Sequence, residues 1–282
     1  MGYLKFARYA IPGLLFAATA TAQSRPGVSF DETTSTVIMT AAGIDSSTNV
    51  MHMTSAGGDI RADLEKGNFA RNIGPFSAGP HAVLIMRGGL AQIIFLNPDE
   101  KQYLSMKPLE MMQGAQKMME SMGGSMTFDT SVTRIALDSV GPGPAIDGHP
   151  TLTYRLTTVM KMTLSMMGQQ NVITDQATQE IQAATDMGDF NPNEVNSFSE
   201  IGQSMGFTKG FFDKVVTTRQ KIHGFPLRSV KHSTGSANGQ SHTSIETVET
   251  RNVKHLTVPD SLFAIPGDYK PVSLPGMPGT GM

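Results

Sequence analysis

Gly202-Gln203-Ser204-Met205-Gly206 fits the G-x-S-x-G pattern of a nucleophile elbow, in which a serine sits on a strained turn between a buried strand and a helix. Such a serine needs a histidine to take its proton and a carboxylate to orient that histidine. His223, His232, His242 and His255, with Asp213 or Asp260, supply those residue types. The context is wrong for an elbow: Asn196 to Ile201 reads as helix where a strand is required, and Gly206 reads as a helix end. A serine hydrolase using Ser204 is therefore an alternative and not the main reading.

Other candidate chemistry is weaker. His52, His81, His149, His223, His232, His242 and His255 show no H-x-x-x-H or H-E-x-x-H spacing, so no metal site is expected. Met51 and Met53, like Met160 and Met162, could offer paired thioethers to Cu(I), a soft ion. Same-parity methionines on a strand also fill irregular cores, and that is the reading adopted. Asp59 and Asp63 share a strand face with Arg61 between them, which reads as a solvated surface, not as an acid/base pair. The glycine pairs beginning at Gly57, Gly88 and Gly123 lack the spacing of a phosphate loop or a dinucleotide fingerprint. No catalytic residue, metal or cofactor is expected.

What remains is apolar binding, and methionine would do it. The chain has 20 methionines, no tryptophan and no cysteine, so an apolar site would be built from flexible, polarizable side chains rather than aromatic plates. The stretch Leu90 to Met126 organises them. Ile93 to Leu96 is a short apolar strand closed by the turn Asn97-Pro98-Asp99, and Gln102 to Met106 is its return. From Leu109 the period changes to about 3.6, placing Met111, Ala115, Met118 and Met122 on one helix face with Met112 and Met119 beside it. Gly123-Gly124 ends that helix. The helix reads as core packing or as a lid over an apolar groove.

The remaining elements follow the same two periods. Ser24 to Asp31 is a lead-in; Thr34 to Thr40, Asn49 to Thr54 and Asp59 to Leu64 read as strands, the last half-buried and wet on one side. Ala82 to Met86 and Ile93 to Leu96 are apolar on both faces and need cover on each, which the methionine helix could give to one. Met126 to Val140 reads as one strand with a bulge where its apolar phase shifts, between Val132 and Ile135. Leu152, Tyr154, Leu156, Met160, Met162 and Leu164 alternate with polar residues over thirteen positions, the clearest strand in the chain. Asp175 to Met187 reads as a helix capped by Asp175, with further helices from Asn193 to Met205 and from Phe207 to Ile222. Leu227 to Ser233 and Gln240 to Thr250 pair as a hairpin, and Val253 to Val258 adds a last strand.

Lys5 and Arg8, the apolar run Ala10 to Ala18 and Ala20-Thr21-Ala22 form the pattern of a secretory signal peptide, so export with cleavage near Ala22-Gln23 is expected. Without Lys5 and Arg8, 20 basic residues face 24 acidic ones, a net charge of −4 with histidine neutral. A weakly acidic chain has no electrostatic footprint for nucleic acid. No later apolar run is long enough for a transmembrane helix.

Several segments carry a resemblance: Gly57 to Leu64 (GGDIRADL), Ile94 to Leu104 (IFLNPDEKQYL), Gly224 to Leu227 (GFPL) and Leu262 to Lys270 (LFAIPGDYK). With the signal peptide, they resemble exported bacterial proteins of a domain family of unknown function, similar to the LolA and LppX periplasmic lipoprotein carriers. The resemblance implies a half-open antiparallel barrel with helices plugging its concave face, in which the better-known members hold acyl chains. The insertion between Asp175 and His223 is longer than LolA has, and no ligand-contacting residue carries over.

The expected fold class is thus α+β: a strongly curved antiparallel sheet, a half-open β-barrel of about ten strands, with helices packed on its concave face. One such domain would occupy residues 23–272, with a helical insertion at 175–223, after a signal peptide at 1–22 and before a disordered tail at 273–282. The expected function is an exported, periplasmic or extracellular, non-enzymatic protein that binds or carries a lipid acyl chain or a lipoprotein. Met111, Met112, Met118, Met119 and Met122 would form the lid, and Met160, Met162 and Leu164 the groove wall. Besides the hydrolase, a structural or interaction protein of the cell envelope with no ligand is the other alternative.

Overall fold

The computed structural model describes residues 23–67, 72–73, 76–88, 91–121, 123, 125–129, 131–166, 169–188, 214, 217–237 and 240–274. Its strands are β1 Ser24–Thr40, β2 Gly43–Ala56, β3 Asp59–Lys66, β4 Asn72–Ile73, β5 Phe76–Ser77, β6 Val83–Arg87, β7 Gln92–Asn97 and β8 Gln102–Met106. Helix α1, Pro108–Ser121, comes next. β9 Ser125–Phe128, β10 Arg134–Pro142, β11 Thr151–Met166, β12 Gln169–Ala184, β13 Phe225–Ala237 and β14 Gln240–Pro259 complete the long strands. A 3-10 turn, Asp260–Phe263, leads to β15, Lys270–Pro271.

A single open sheet takes thirteen of these strands in the order β10-β11-β12-β13-β14-β1-β2-β3-β6-β7-β8-β15, with β9 also pairing β11. Every pairing in it is antiparallel except that of β15 with β8. Two meanders, β1-β2-β3-β6-β7-β8 and β10 to β14, are therefore joined where β14 pairs with β1, while β4 and β5 pair separately as a two-stranded sheet. One face of the sheet, here the front, carries Phe30, Met53, Ala62 and Leu84 from successive strands, together with Val248 and Leu156 farther along. The back carries the opposite parity.

The expected α+β class, a half-open barrel of about ten strands with helices on its concave face, is overturned: the described chain is mostly strand, gathered in one open sheet of thirteen strands, and among the described residues α1 is not packed along any of them. The largest single misreading is Asp175 to Met187. Its Gln, Ala and Glu residues are good helix formers, yet β12 is an unbroken strand from Gln169 to Ala184. It is held in register by β11 on one side, Thr151↔Ala184 through Met166↔Gln169, and by β13 on the other. Pairing on both edges outweighs a propensity of tenths of a kcal/mol per residue. Within the third expected helix only Lys214 and Thr217 to Arg219 are described as helical, and the second lies outside the described residues.

Smaller corrections have local causes. Met126 to Val140 is two strands, not one: β9 and β10 lie end to end on the same edge of β11. Asp129 makes the break, its carboxylate accepting from the Ser131 N–H and hydroxyl and from Lys161 Nζ, while its carbonyl accepts from Thr133. That is an Asx turn, which competes with strand pairing. Conversely, Val253 to Val258 belongs to β14. A bulge places Asn252 and Val253 opposite Phe30 alone, with Asn252 at φ 54° donating to Asp31 at 2.7 Å. Ser24 to Asp31, expected as a lead-in, is the first half of β1.

Among the described residues, cover for the two-sided strands β6 and β7 comes from the C-terminal segment. On the back, Phe263, Leu262, Ile265 and Tyr269 pack with Val83, Ile85, Ile94, Leu96 and Tyr103. The chain then turns the sheet margin as β15, and on the front Val272 and Leu274 join Phe76, Ala78 and Ala82 over Phe95 and Leu104. Three arginines fasten this strap. Arg87 and Arg61 donate to the carbonyls of Phe263 and Leu262, and Arg25 pairs with Asp260 at 3.0 Å while lying 5.2 Å from the Phe263 ring centre. The Asp59, Arg61, Asp63 row, expected to be solvated, is half-buried by this work: Asp59 pairs with Arg25, and Arg61 with Asp63. The tight start of β13 follows from Gly224, at φ 94°, where a Cβ would lie 2.3 Å from the Ala184 carbonyl oxygen.

Candidate functional site

The alternation of β11 sets Leu152, Tyr154, Leu156, Met160 and Met162 on the front face. The lower part of this row is used up in core packing: Tyr154, Leu156, Ile181 and Ala183 form a buried cluster with Ile135, Leu137, Leu152 and Ile222 around it. The Tyr154 hydroxyl also accepts from the His223 N–H at 3.3 Å, tying the end of the preceding connection to the sheet. Met160 and Met162 stand above that cluster. Both are half-buried, Ile173 of β12 lies directly opposite Met162, and none of the three enters any of the four buried clusters. They form a short apolar strip near one margin of the sheet whose packing is not completed by the described residues. Leu164 continues the same parity opposite Asn171, and its side chain lies outside the described residues.

Helix α1 runs between the two margins. It leaves from β8, near one end of the sheet, and returns as β9, on the other end beside β11. The connection through α1 thus links strands that stand near opposite ends of the open sheet. Met111 is half-buried on this helix; the side chains of Met112, Met118 and Met119, and Met122 as a whole, lie outside the described residues.

The middle of the front face differs from what an apolar groove needs. Glu32, Lys231, Gln179 and Glu246 lie half-buried on it, with Ser233, buried, in hydrogen-bond contact with Ser244 at 2.6 Å. Burial holds the Glu32 carboxyl above the usual carboxylate range against a hydrogen bond from Thr34, and the nearby charge of Glu246 adds to the rise. Burial likewise pushes the Arg219 guanidinium down, opposed by Glu246. Glu32 also lines a cavity of about 90 Å³ beside Phe30 and Phe225, whose rings meet edge to face at 5.5 Å. Nothing in the sequence marked Glu32, which sits between two other polar residues; Ile173 was masked by the helical reading of its neighbours.

A second, open cleft of about 450 Å³ lies where the turn before β11 meets the β14 bulge, lined by Asp147, His149, Met187, Leu227, Arg251 and Asn252 among others. His149 pairs with Asp186 at 3.0 Å and Arg251 with Asp147 at 2.8 Å. No serine or cysteine lines it among the described residues. Ser204, Asp213 and the G-x-S-x-G run lie outside the described residues. Among the described residues no group of three or more His, Asp or Glu is placed to hold a metal, and no helix is long and apolar enough to cross a membrane. Residues 1–22, read as a signal peptide, are outside the described residues.

No family model and no curated protein matches the chain. Among solved structures it is similar to a domain from Vibrio parahaemolyticus proposed to be an outer membrane lipoprotein-sorting protein. The likeness covers 85% of this chain and 89% of that one, at 4% identity and a TM-score of 0.26.

Proposed function

We propose that this protein binds an apolar ligand, a lipid acyl chain or the acylated end of a lipoprotein, and carries it in the cell envelope without chemical change. The observation that supports this is the half-buried apolar strip of Met160, Met162 and Ile173, which joins none of the buried clusters of described residues and is set at the margin to which the methionine-bearing helix returns. Each methylene that such a strip removes from water contributes about 0.8 kcal/mol, so half an acyl chain suffices for useful affinity without a polar contact. Methionine side chains accommodate chains of different length, which suits a carrier.

The test is binding of a fluorescent fatty acid to the mature protein and to a Met160→Asp, Met162→Asp double variant. Saturable binding that falls at least tenfold in the variant supports the reading, and equal binding by both removes it. The polar middle of the front face favours a second reading, an envelope interaction protein with no ligand. That reading predicts no saturable binding by either protein.

A further inference from the structure

The two margins of the sheet are finished differently. At one, β15 contributes only Lys270 and Pro271, a charged residue and one without an N–H, the residue types that discourage further strand pairing. At the other, β10 runs Arg134–Pro142; a bulge between Ser139 and Gly141 and then Pro142 interrupt its far end, but Arg134 to Ser139 carries neither lysine nor proline, and no strand pairs with its outer edge among the described residues. An exposed row of backbone donors and acceptors of this length is a template for another strand.

The sequence of that edge is complementary to itself. Antiparallel pairing of Arg134-Ile135-Ala136-Leu137-Asp138 with a second copy, centred on Ala136, sets Arg134 opposite Asp138 twice and Ile135 opposite Leu137 twice. Arg134, Ala136 and Asp138 are exposed and share the back face, whereas Ile135 and Leu137 are half-buried on the front beside the Tyr154 cluster. The seam would therefore be charged on one side and apolar on the other, in line with each protomer. Neither Arg134 nor Asp138 is in an ion pair among the described residues. Asp138 also faces Arg155 across β11, so pairing would place it between two guanidinium groups.

We propose that two copies of this chain associate edge to edge through β10, antiparallel about Ala136, extending the sheet across a two-fold axis. A two-fold contact must be self-complementary, residue i meeting j and j meeting i, which is the property the Arg134 to Asp138 run possesses. The contact is independent of the ligand reading, since it uses the outer edge of β10 and not the strip on β11.

The chain has no cysteine, so Ala136→Cys introduces a lone thiol. Directly opposed residues stand close enough for a disulfide, and mild oxidation should give a covalent dimer much faster than the exposed control Ser46→Cys. Sedimentation equilibrium of the untouched protein should show a monomer–dimer equilibrium. R134D or D138R alone, each turning two attractive cross-strand pairs into repulsive ones, should weaken association by about tenfold or more. The combined R134D, D138R variant should restore it to within about threefold. A monomer at every concentration, a dimer indifferent to both reversals, or A136C cross-linking no faster than S46C would each overturn the proposal.

Discussion

Replacing Phe263 by alanine tests whether the C-terminal strap is part of the core. Phe263 is 1% exposed, packed among Val83, Ile85, Ile94, Leu96 and Val258, with the Arg25 guanidinium 5.2 Å from its ring centre. Truncating a buried phenylalanine costs about 3–5 kcal/mol, because the lost transfer energy is joined by that of the cavity left behind. The sheet cannot close over that cavity readily: β6 and β7 are held by β3 and β8 on either side. In a domain of this size each kcal/mol lowers the melting temperature by about 2–4 °C, so a fall of about 6–20 °C is expected. The chain has no tryptophan, so far-UV circular dichroism during urea and thermal unfolding is the natural readout. Phe263→Leu should lose less than half as much. Ile44→Ala, at a side chain 74% exposed, should change stability by less than about 0.5 kcal/mol. A loss below about 1 kcal/mol for Phe263→Ala would refute the packing argument and make the strap an accessory.

Two further substitutions test the front face and the turn that feeds it. Glu32 is held above its usual range by burial, so the folded state favours its protonated form; its contribution is greatest below the unfolded value and is lost as pH rises through the folded one. Glu32→Gln should therefore be more stable than the parent at pH 7 and lose that advantage near pH 4, as read from urea midpoints at both pH values. Gly224→Ala should destabilise by about 1–3 kcal/mol in the same assay, since φ is 94° and the added Cβ would meet the Ala184 carbonyl.

Much of the sheet could be read where alternation was undisturbed. The thirteen-residue pattern around Met160 became β11 with its register intact, and the Asn97-Pro98-Asp99 turn became the β7–β8 hairpin. There Asn97, almost wholly buried, donates to the Ser77 carbonyl and accepts from the Glu100 N–H. Reading failed where long-range pairing overrode local preference. The Gln- and Ala-rich β12 looks helical in isolation because nothing local records that β11 and β13 flank it. The role of Phe263 was equally hidden: a short apolar run after Pro259 gives no sign that three arginines from β1, β3 and β6 will receive it. Of the expected site, Met160 and Met162 fall together on one face and Met111 lies on the helix that bridges the margins, while Ile173 was lost with the misread strand.

The claim that this molecule carries an apolar guest is tested most directly by photolabelling. The chain from Gln23 onward would be incubated with a diazirine-bearing fatty acid, irradiated, digested and mapped by mass spectrometry. Label concentrated on Met160, Met162 and Ile173, and competed away by unlabelled fatty acid, is the predicted result. Label spread over the surface without competition, or confined to the polar cleft around His149 and Arg251, would contradict it.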